Sequence, residues 1–410
     1  LPFYYGWVNV VLAAMAMLAT LPGRTQGLGL VTEPLLADLN LNRDVYAQLN
    51  LWATLLGALC CLPVGQLLDR FGSRRALAVI VAALALTVWS MSAVTSAGVL
   101  FLLLTLTRGL GQSALSVVSI ALVGKWFPHR ISLAMGLYAV LVGLFFATAF
   151  VLVGWSVGQL GWRVAWRNIA IALAVFLPMA WLLVRSTPES CGLLPDAGPG
   201  DESASLSGLY LHEALRTPAF WVFALATAVY GLVVSGVGLF NEAILAELGF
   251  DQKTYYQTLG LSTLVGLASQ LLSGWIGWKW SLPRLMSLAM GLYAASLLWL
   301  PHVTTLTQLW GNAFLMGAAG GMITVVFFAI WADAFGRVHL GRIQGAAQML
   351  TVVSSAVGPI LFAECELRTG SYSLVFHTLA PIVLALGVAA WHVPLPVNAK
   401  TRLREALATG

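Results

Sequence analysis

Two arginines, Arg24 and Arg108, lie near the middle of long apolar stretches, within Gly23-Arg24-Thr25-Gln26 and Arg108-Gly109-Leu110-Gly111-Gln112. At hydrocarbon depth a guanidinium costs at least about 2.5–3.5 kcal/mol unless it faces a wet cavity or a partner. Its planar fork matches a carboxylate, so one chemistry open to it is bidentate capture of an organic anion; the other is structural, bonding carbonyls or a neighbouring helix. Gln112, Tyr138, Tyr230, Thr258, Ser262, Thr324 and Ser355 are further polar groups able to line a midplane cavity, although Ser and Thr in such helices also bond back to their own backbone. Carboxylates stand elsewhere. Glu33 and Glu242 fall at outer segment ends and Asp69 and Asp333 at inner ends, which suits gates or helix-end anchors better than a central proton relay. No nucleophile–base set and no His/Asp/Glu metal cluster occurs at that depth, so no enzyme, metal or cofactor is expected.

The elements that position these groups follow from composition. The 410 residues are 59% hydrophobic and 9% charged, where a soluble domain carries about a quarter charged residues. Apolar stretches long enough to cross a roughly 30 Å hydrocarbon core follow one another from Trp7 to Trp391. Only helices satisfy their own backbone there in such segments, which predicts an all-α bundle. The twelve spans are expected at roughly 6–36, 46–68, 74–95, 98–123, 131–156, 164–185, 219–246, 254–277, 285–301, 308–333, 341–364 and 371–392. The long polar stretch Ser186 to Thr217, with Pro188, Pro195, Gly198, Pro199, Gly200, Asp201 and Glu202, divides them into six plus six. The expected organisation is thus an N-terminal half over 1–185, a linker over 186–217 and a C-terminal half over 218–410 ending in a short tail. Within the linker, Leu206 to Leu215 reads as a short interfacial helix or a plain tether, with Thr217 and Pro218 suited to cap segment 7.

The net charge of +5 reflects loops, not a nucleic-acid surface. Arg70, Arg74, Arg75, Lys125, Arg130, Arg185, Arg216, Lys279, Arg284, Arg337, Arg342, Lys400, Arg402 and Arg404 fall on one side of the predicted bundle. Only Arg43, Arg163, Arg167, Lys253 and Arg368 fall on the other. The first side, with both termini, is therefore expected in the cytoplasm. The four cysteines show neither a disulfide framework nor zinc spacing, and the first apolar run reads as a retained helix behind a trimmed start.

An internal repeat supports the two halves. LGLVTEPLLADLNL at 28–41 aligns without gaps on VGLFNEAILAELGF at 237–250, an offset of 209. GLGQSALSVVSIALVGKWF at 109–127 aligns on GAAGGMITVVFFAIWADAF at 317–335, an offset of 208. Two parallel six-helix repeats with a ligand site between them at mid-depth is a transporter plan.

Particular residues carry a family resemblance. Gly65-Gln66-Leu67-Leu68-Asp69-Arg70-Phe71-Gly72-Ser73-Arg74-Arg75, between segments 2 and 3, closely resembles the signature loop of the major facilitator superfamily, and Arg108 to Gln112 is similar to its helix 4 arginine motif. The proline–glycine motif of drug antiporters is missing between Gly136 and Gly154, and the C-terminal counterpart of the signature loop, GWIGWKWSLPRLM at 274–286, has Trp278 in place of the acid. Tyr4 to Val8, Lys125 to Arg130, Pro188 to Pro195 and Glu213 to Trp221 resemble bacterial relatives of the monocarboxylate transporters and oxalate–formate exchangers.

The resemblance implies the major facilitator fold and a rocker-switch carrier of a small organic anion, mono- or dicarboxylate, in a bacterial inner membrane. Arg24 is its expected carboxylate ligand, and Gly65, Asp69, Arg70, Gly72, Arg74, Arg75, Glu33, Glu242 and Asp333 its expected gating or conformational residues. Asp69 is expected to meet the start of segment 11 or a nearby arginine. The expected partners are the anion and the bilayer, with protons, a counter-anion or neither coupled to movement, in a monomeric carrier that is secondary active or facilitative. Monocarboxylate carriers place an Asp/Arg pair in helix 8, whereas Tyr255 to Ile276 holds no charge, so their proton scheme does not transfer directly. Export of a hydrophobic or drug-like compound would want an acidic cavity, and a membrane sensor would keep the fold without transport.

Overall fold

The computed structural model describes residues 4–194, 196 and 208–396. Twelve helices long and apolar enough to cross a membrane occur among them. They are α1 (Gly6–Gly23), α2 (Val45–Phe71), α3 (Ser73–Met91), α4 (Ala97–Trp126), α5 (Ile131–Leu160), α6 (Trp162–Leu183), α7 (Pro218–Glu247), α8 (Gln252–Lys279), α9 (Leu282–His302), α10 (Leu306–Phe335), α11 (Leu340–Thr369) and α12 (Ser373–His392). No strand forms among the described residues; a single bridge pairs Gly208 with Gly336. Large apolar side chains such as Val79, Leu86, Val151, Leu152 and Trp155 are exposed, as helices solvated by lipid require.

The first span departs from the expected continuous helix over 6–36. Regular helix stops at Leu18, a 3₁₀ turn covers Leu21–Gly23, Arg24 is extended, and short helices follow at Thr25–Gly29 and Thr32–Leu39. Pro22 supplies no amide for the ladder, and Gly23 lies where a Cβ would run into the carbonyl of Thr107. The expected helix in the linker is also shorter, a single turn at Leu211–Ala214. Leu206 lies outside the described residues, as do Pro195, Gly198, Pro199, Gly200, Asp201, Glu202, Lys400, Arg402 and Arg404. Thr217 caps α7, its hydroxyl accepting from the Phe220 amide, with Pro218 next.

Packing gathers the chain into two compact units. The first comprises Leu1–His129, Leu141–Ser207 and Arg337–Met349, and the second Arg130–Val140, Gly208–Gly336 and Leu350–Gly410. In the first, every residue of Ser116–Trp126 on α4 is buried, and Ser119 Oγ donates to the Ala13 carbonyl at 2.6 Å, tying α4 to α1. In the second, Ser269 Oγ donates to the Ala318 carbonyl at 2.6 Å, tying α8 to α10.

Glycines decide how closely these helices approach. A Cβ on Gly65 would strike the carbonyl of Gly341, so α2 and the start of α11 meet backbone to backbone in the first unit. In the second unit, a Cβ on Gly274 would lie 2.9 Å from Gly136 Cα, and α8 meets the start of α5 in the same way. Each unit therefore includes the opening turns of a helix whose remainder packs in the other.

A Cβ at Gly317 would strike the Ser262 carbonyl, which cannot move aside, whereas nothing lies within 4 Å of one at Gly291. Gly317→Ala is expected to cost about 1–3 kcal/mol and visibly lower the thermal unfolding midpoint in detergent. Gly291→Ala should leave the midpoint unchanged or raise it slightly.

Candidate functional site

Arg24 occupies the break in α1. Its φ of −95° and ψ of 152° take the chain out of helical geometry. The half-buried guanidinium reaches back along α1 and across to α4: Nε donates to Thr20 Oγ1 at 2.6 Å, and Nη2 to Met17 Sδ at 2.9 Å and Ser116 Oγ at 3.2 Å. Its carbon lies 5.4 Å from the centre of the Phe146 ring. Hydroxyls, a thioether and an aromatic face are neutral groups, and the thioether is a weak acceptor.

Arg108 is placed by a second irregularity. The α4 backbone adopts a π-helical register over Arg108–Leu115, a feature that recurs at functional sites. Arg108 is only 3% exposed. Its Nη1 donates to the Gly23 carbonyl at 3.3 Å, Thr25 Oγ1 at 3.0 Å and Gln112 Oε1 at 2.9 Å, and Nη2 donates to Asn50 Oδ1 at 3.1 Å. One arginine thus binds a carbonyl in the break in α1, and its terminal nitrogens already have protein acceptors. Asn50 was not singled out from the sequence, although its place in an apolar span was a usable signal.

Arg24, Arg108 and Gln112 come together in the first unit; the other polar candidates belong to the second. Tyr138 is fully buried and meets Phe328 edge to face at 5.2 Å, while Tyr230 meets Tyr293 at 5.3 Å. Thr258, Ser262 and Thr324 donate to carbonyls of their own helices, at Thr254, Leu259 and Gly320. The Ser355 hydroxyl lies 2.9 Å from where a Cβ on Gly231 would stand.

A charged cluster sits at the C-terminal end of α4, within the first unit. The side chain of Asp69, 5% exposed, accepts from the amides of Gly341 and Arg342, each at 3.0 Å, in the first turn of α11, where helical amides lack partners. Lys125 Nζ, on a side chain 9% exposed, lies 3.5 Å from Asp69 Oδ1. Arg337 Nη1 donates to the Lys125 carbonyl at 2.6 Å and Nη2 to linker Glu189 Oε1 at 3.0 Å. Burial alone would raise the Glu189 carboxyl, but backbone hydrogen bonds and Arg337 hold it below its ordinary value. The pair's contribution is therefore complete at neutral pH and is lost on acidification through that depressed value. Lys125, Glu189 and Arg337 appeared in the sequence as loop charges and motif members, but nothing local pairs residues so far apart.

The rest of the signature loop shapes this end. Gly72 closes α2 at φ 82°, the left-handed region, and, two residues on, the amide of Arg74 donates to Ser186 Oγ at 3.2 Å. Arg74 stacks on Trp181 at 4.6 Å and Arg70 on Phe71 at 5.3 Å, while Arg75 is exposed. Where the second unit has Trp278 in place of the acid, Arg130 lies 5.7 Å over its ring. Glu33 pairs with Arg43 at 3.0 Å on an exposed surface, and Glu242 and Asp333 are exposed and make no ion pair among the described residues.

Asp69→Asn removes the countercharge of a buried lysine and weakens two charge-assisted bonds worth roughly 1.5–3 kcal/mol each. The variant is expected to fold but to transport more slowly, with conformational populations shifted about ten- to a hundredfold. Uptake rate and cysteine accessibility on the two membrane faces measure this. Transport at the unmodified rate would rule out a gating role for Asp69.

Comparison with known proteins identifies the family. The Major Facilitator Superfamily profile matches over residues 12–277 and 223–408. The chain is 28% identical over 295 residues to rat Monocarboxylate transporter 13, covering 71% of this chain and 66% of that protein, just under two thirds. It is 28% identical over 326 residues to the bovine Monocarboxylate transporter 13, covering 79% and 74%. Among solved structures, the human organic anion transporter MFSD10 (TETRAN) is similar with a TM-score of 0.68 at 17% identity, over 94% of this chain and 97% of that one. The proton:xylose symporter XylE bound to 6-bromo-6-deoxy-D-glucose is similar with a TM-score of 0.71 at 13% identity, over 95% of each. With twelve helices among the described residues long and apolar enough to cross a membrane, and a profile match across nearly the whole length, the chain belongs to the Major Facilitator Superfamily, a family of transporters and not of enzymes, and resembles its monocarboxylate branch.

Proposed function

We propose that the protein carries a small monocarboxylate across the membrane by rocker-switch alternating access, with Arg24 binding the carboxylate. The observation that carries this reading is the Arg24 guanidinium at the break in α1, held by Thr20, Met17 and Ser116. A carboxylate is a far stronger acceptor than a thioether, so an arriving anion gains a charge-assisted, bidentate contact for the loss of a weak one. Arg108 argues for one carboxylate over two, because its terminal nitrogens are already bonded to Gly23, Thr25, Gln112 and Asn50. The names of the mammalian relatives and of the human organic anion transporter point the same way.

In this reading, 1–185 and 218–410 are the two halves, 186–217 is the cytoplasmic linker, and both termini face the cytoplasm of a bacterial inner membrane. Asp69, with Gly65, Gly72, Arg70, Arg74 and Arg75, serves the inner gate, and the carrier works as a monomer. Export of a drug-like cation fits poorly with two arginines at this depth, and substrate-dependent uptake by purified protein in liposomes distinguishes a carrier from a sensor.

Arg24→Lys keeps the charge but loses the fork, and should weaken binding of a short monocarboxylate about tenfold; Arg24→Ala should weaken it about a hundredfold or more. Calorimetric titration, with the unfolding midpoint recorded alongside, checks this. Ordinary binding by a folded Arg24→Ala protein would move the site elsewhere, and loss of folding would make Arg24 structural.

Uptake with and without a pH gradient addresses coupling. Proton dependence is expected to be modest, or to arise from substrate protonation or a helix-end carboxylate. Strict proton stoichiometry surviving removal of both Glu33 and Glu242 would contradict this.

A further inference from the structure

A histidine pair lies at the end of the second unit away from the arginine-rich loops. His302 ends α9, and His377 lies one turn into α12. Their Nε2 atoms are 3.4 Å apart, their ring centres 5.4 Å apart and their planes inclined at 73°. His377 Nδ1 lies 2.7 Å from the Ser373 carbonyl. A carbonyl only accepts, so that nitrogen carries the hydrogen and the neutral ring presents a lone pair at Nε2. The lone pair faces His302 Nε2, whose hydrogen it accepts when nothing lies between them. Both histidines are exposed at the protein surface.

We propose that His302 and His377 bind zinc(II) through their two Nε2 atoms. A tetrahedral ion with metal–nitrogen bonds of about 2.0–2.1 Å holds two ligating nitrogens about 3.3–3.4 Å apart, the separation already present here. The carbonyl behind His377 fixes its tautomer and ring orientation, as outer partners of ligating histidines do. For His302 to ligate, its hydrogen moves from Nε2 to Nδ1 through solvent, so binding needs no net proton release. Water completes the coordination, since no third His, Cys, Asp or Glu joins a metal-holding group among the described residues. The ion bridges α9 and α12, which already pack closely, a Cβ on Gly387 standing 2.9 Å from Met290 Cβ.

Titration of tag-free purified protein with zinc chloride in a calorimeter tests this. One site is expected, and His302→Ala and His377→Ala should each weaken binding tenfold or more without lowering the metal-free unfolding midpoint. Electron paramagnetic resonance of the copper(II)-loaded protein should report two nitrogen ligands, falling to one in either variant. Absence of binding, or binding that keeps its affinity in both variants, overturns the proposal. If an alanine variant fails to fold, His302→Gln and His377→Gln take its place, and undiminished affinity in those has the same consequence.

Discussion

A helix interrupted inside hydrocarbon frees carbonyls and amides that lipid cannot satisfy, and the candidate site depends on how this chain meets that constraint. Gly23 is buried at the interruption, and Arg108 supplies a donor to its carbonyl. The same guanidinium holds Thr25 just beyond the break, Gln112 on its own helix and Asn50 on α2. The π register of α4 begins at Arg108, so two irregular backbones meet around one cation. Arg24, the residue at which α1 leaves helical geometry, owes its position to that junction. The arginines have different surroundings: Arg108 satisfies a backbone carbonyl of the break, whereas Arg24 bonds side chains of α1 and α4.

The opposite end of α4 follows a related economy. Asp69 meets two amides that an α-helix leaves unbonded at its start, and Lys125 neutralises it at a depth where a lone carboxylate would be costly. Arg337 carries the linkage on to Glu189, so the linker is joined to the same cluster. In the second unit, Arg130 over Trp278 stands in for the carboxylate. The repeat visible in the sequence therefore preserves the glycine crossings better than it preserves the chemistry around them.

The number and order of spans were legible because lipid forces apolar length onto every segment, and few other architectures satisfy twelve such stretches. Thr217 and Pro218 at the head of α7 were legible for a local reason, a hydroxyl cap before a residue without an amide. The break in α1 was not, because Pro22-Gly23 within an apolar stretch also occurs in helices that stay continuous; what decides is the approach of Gly23 to Thr107 on another helix. The Glu189–Arg337 pair was invisible for the same reason, its partners standing 148 residues apart. Periodicity and composition report what one segment needs from its solvent, whereas tertiary approach determines where a segment may break.

The crossing of α2 with α11 at Gly65 and Gly341, and of α8 with α5 at Gly274 and Gly136, brings main chain against main chain. Under the gating role proposed for Gly65, the first of these surfaces parts and meets again in every cycle. Side chains that interdigitate lose rotamer freedom each time they are buried, up to about 1.5–2 kcal/mol for the longest, whereas glycine has none to lose. A contact of this kind also has no wrong rotamer in which to jam. Its tightness then comes from shape alone, and a seal so built can be reversed many times at little entropic cost.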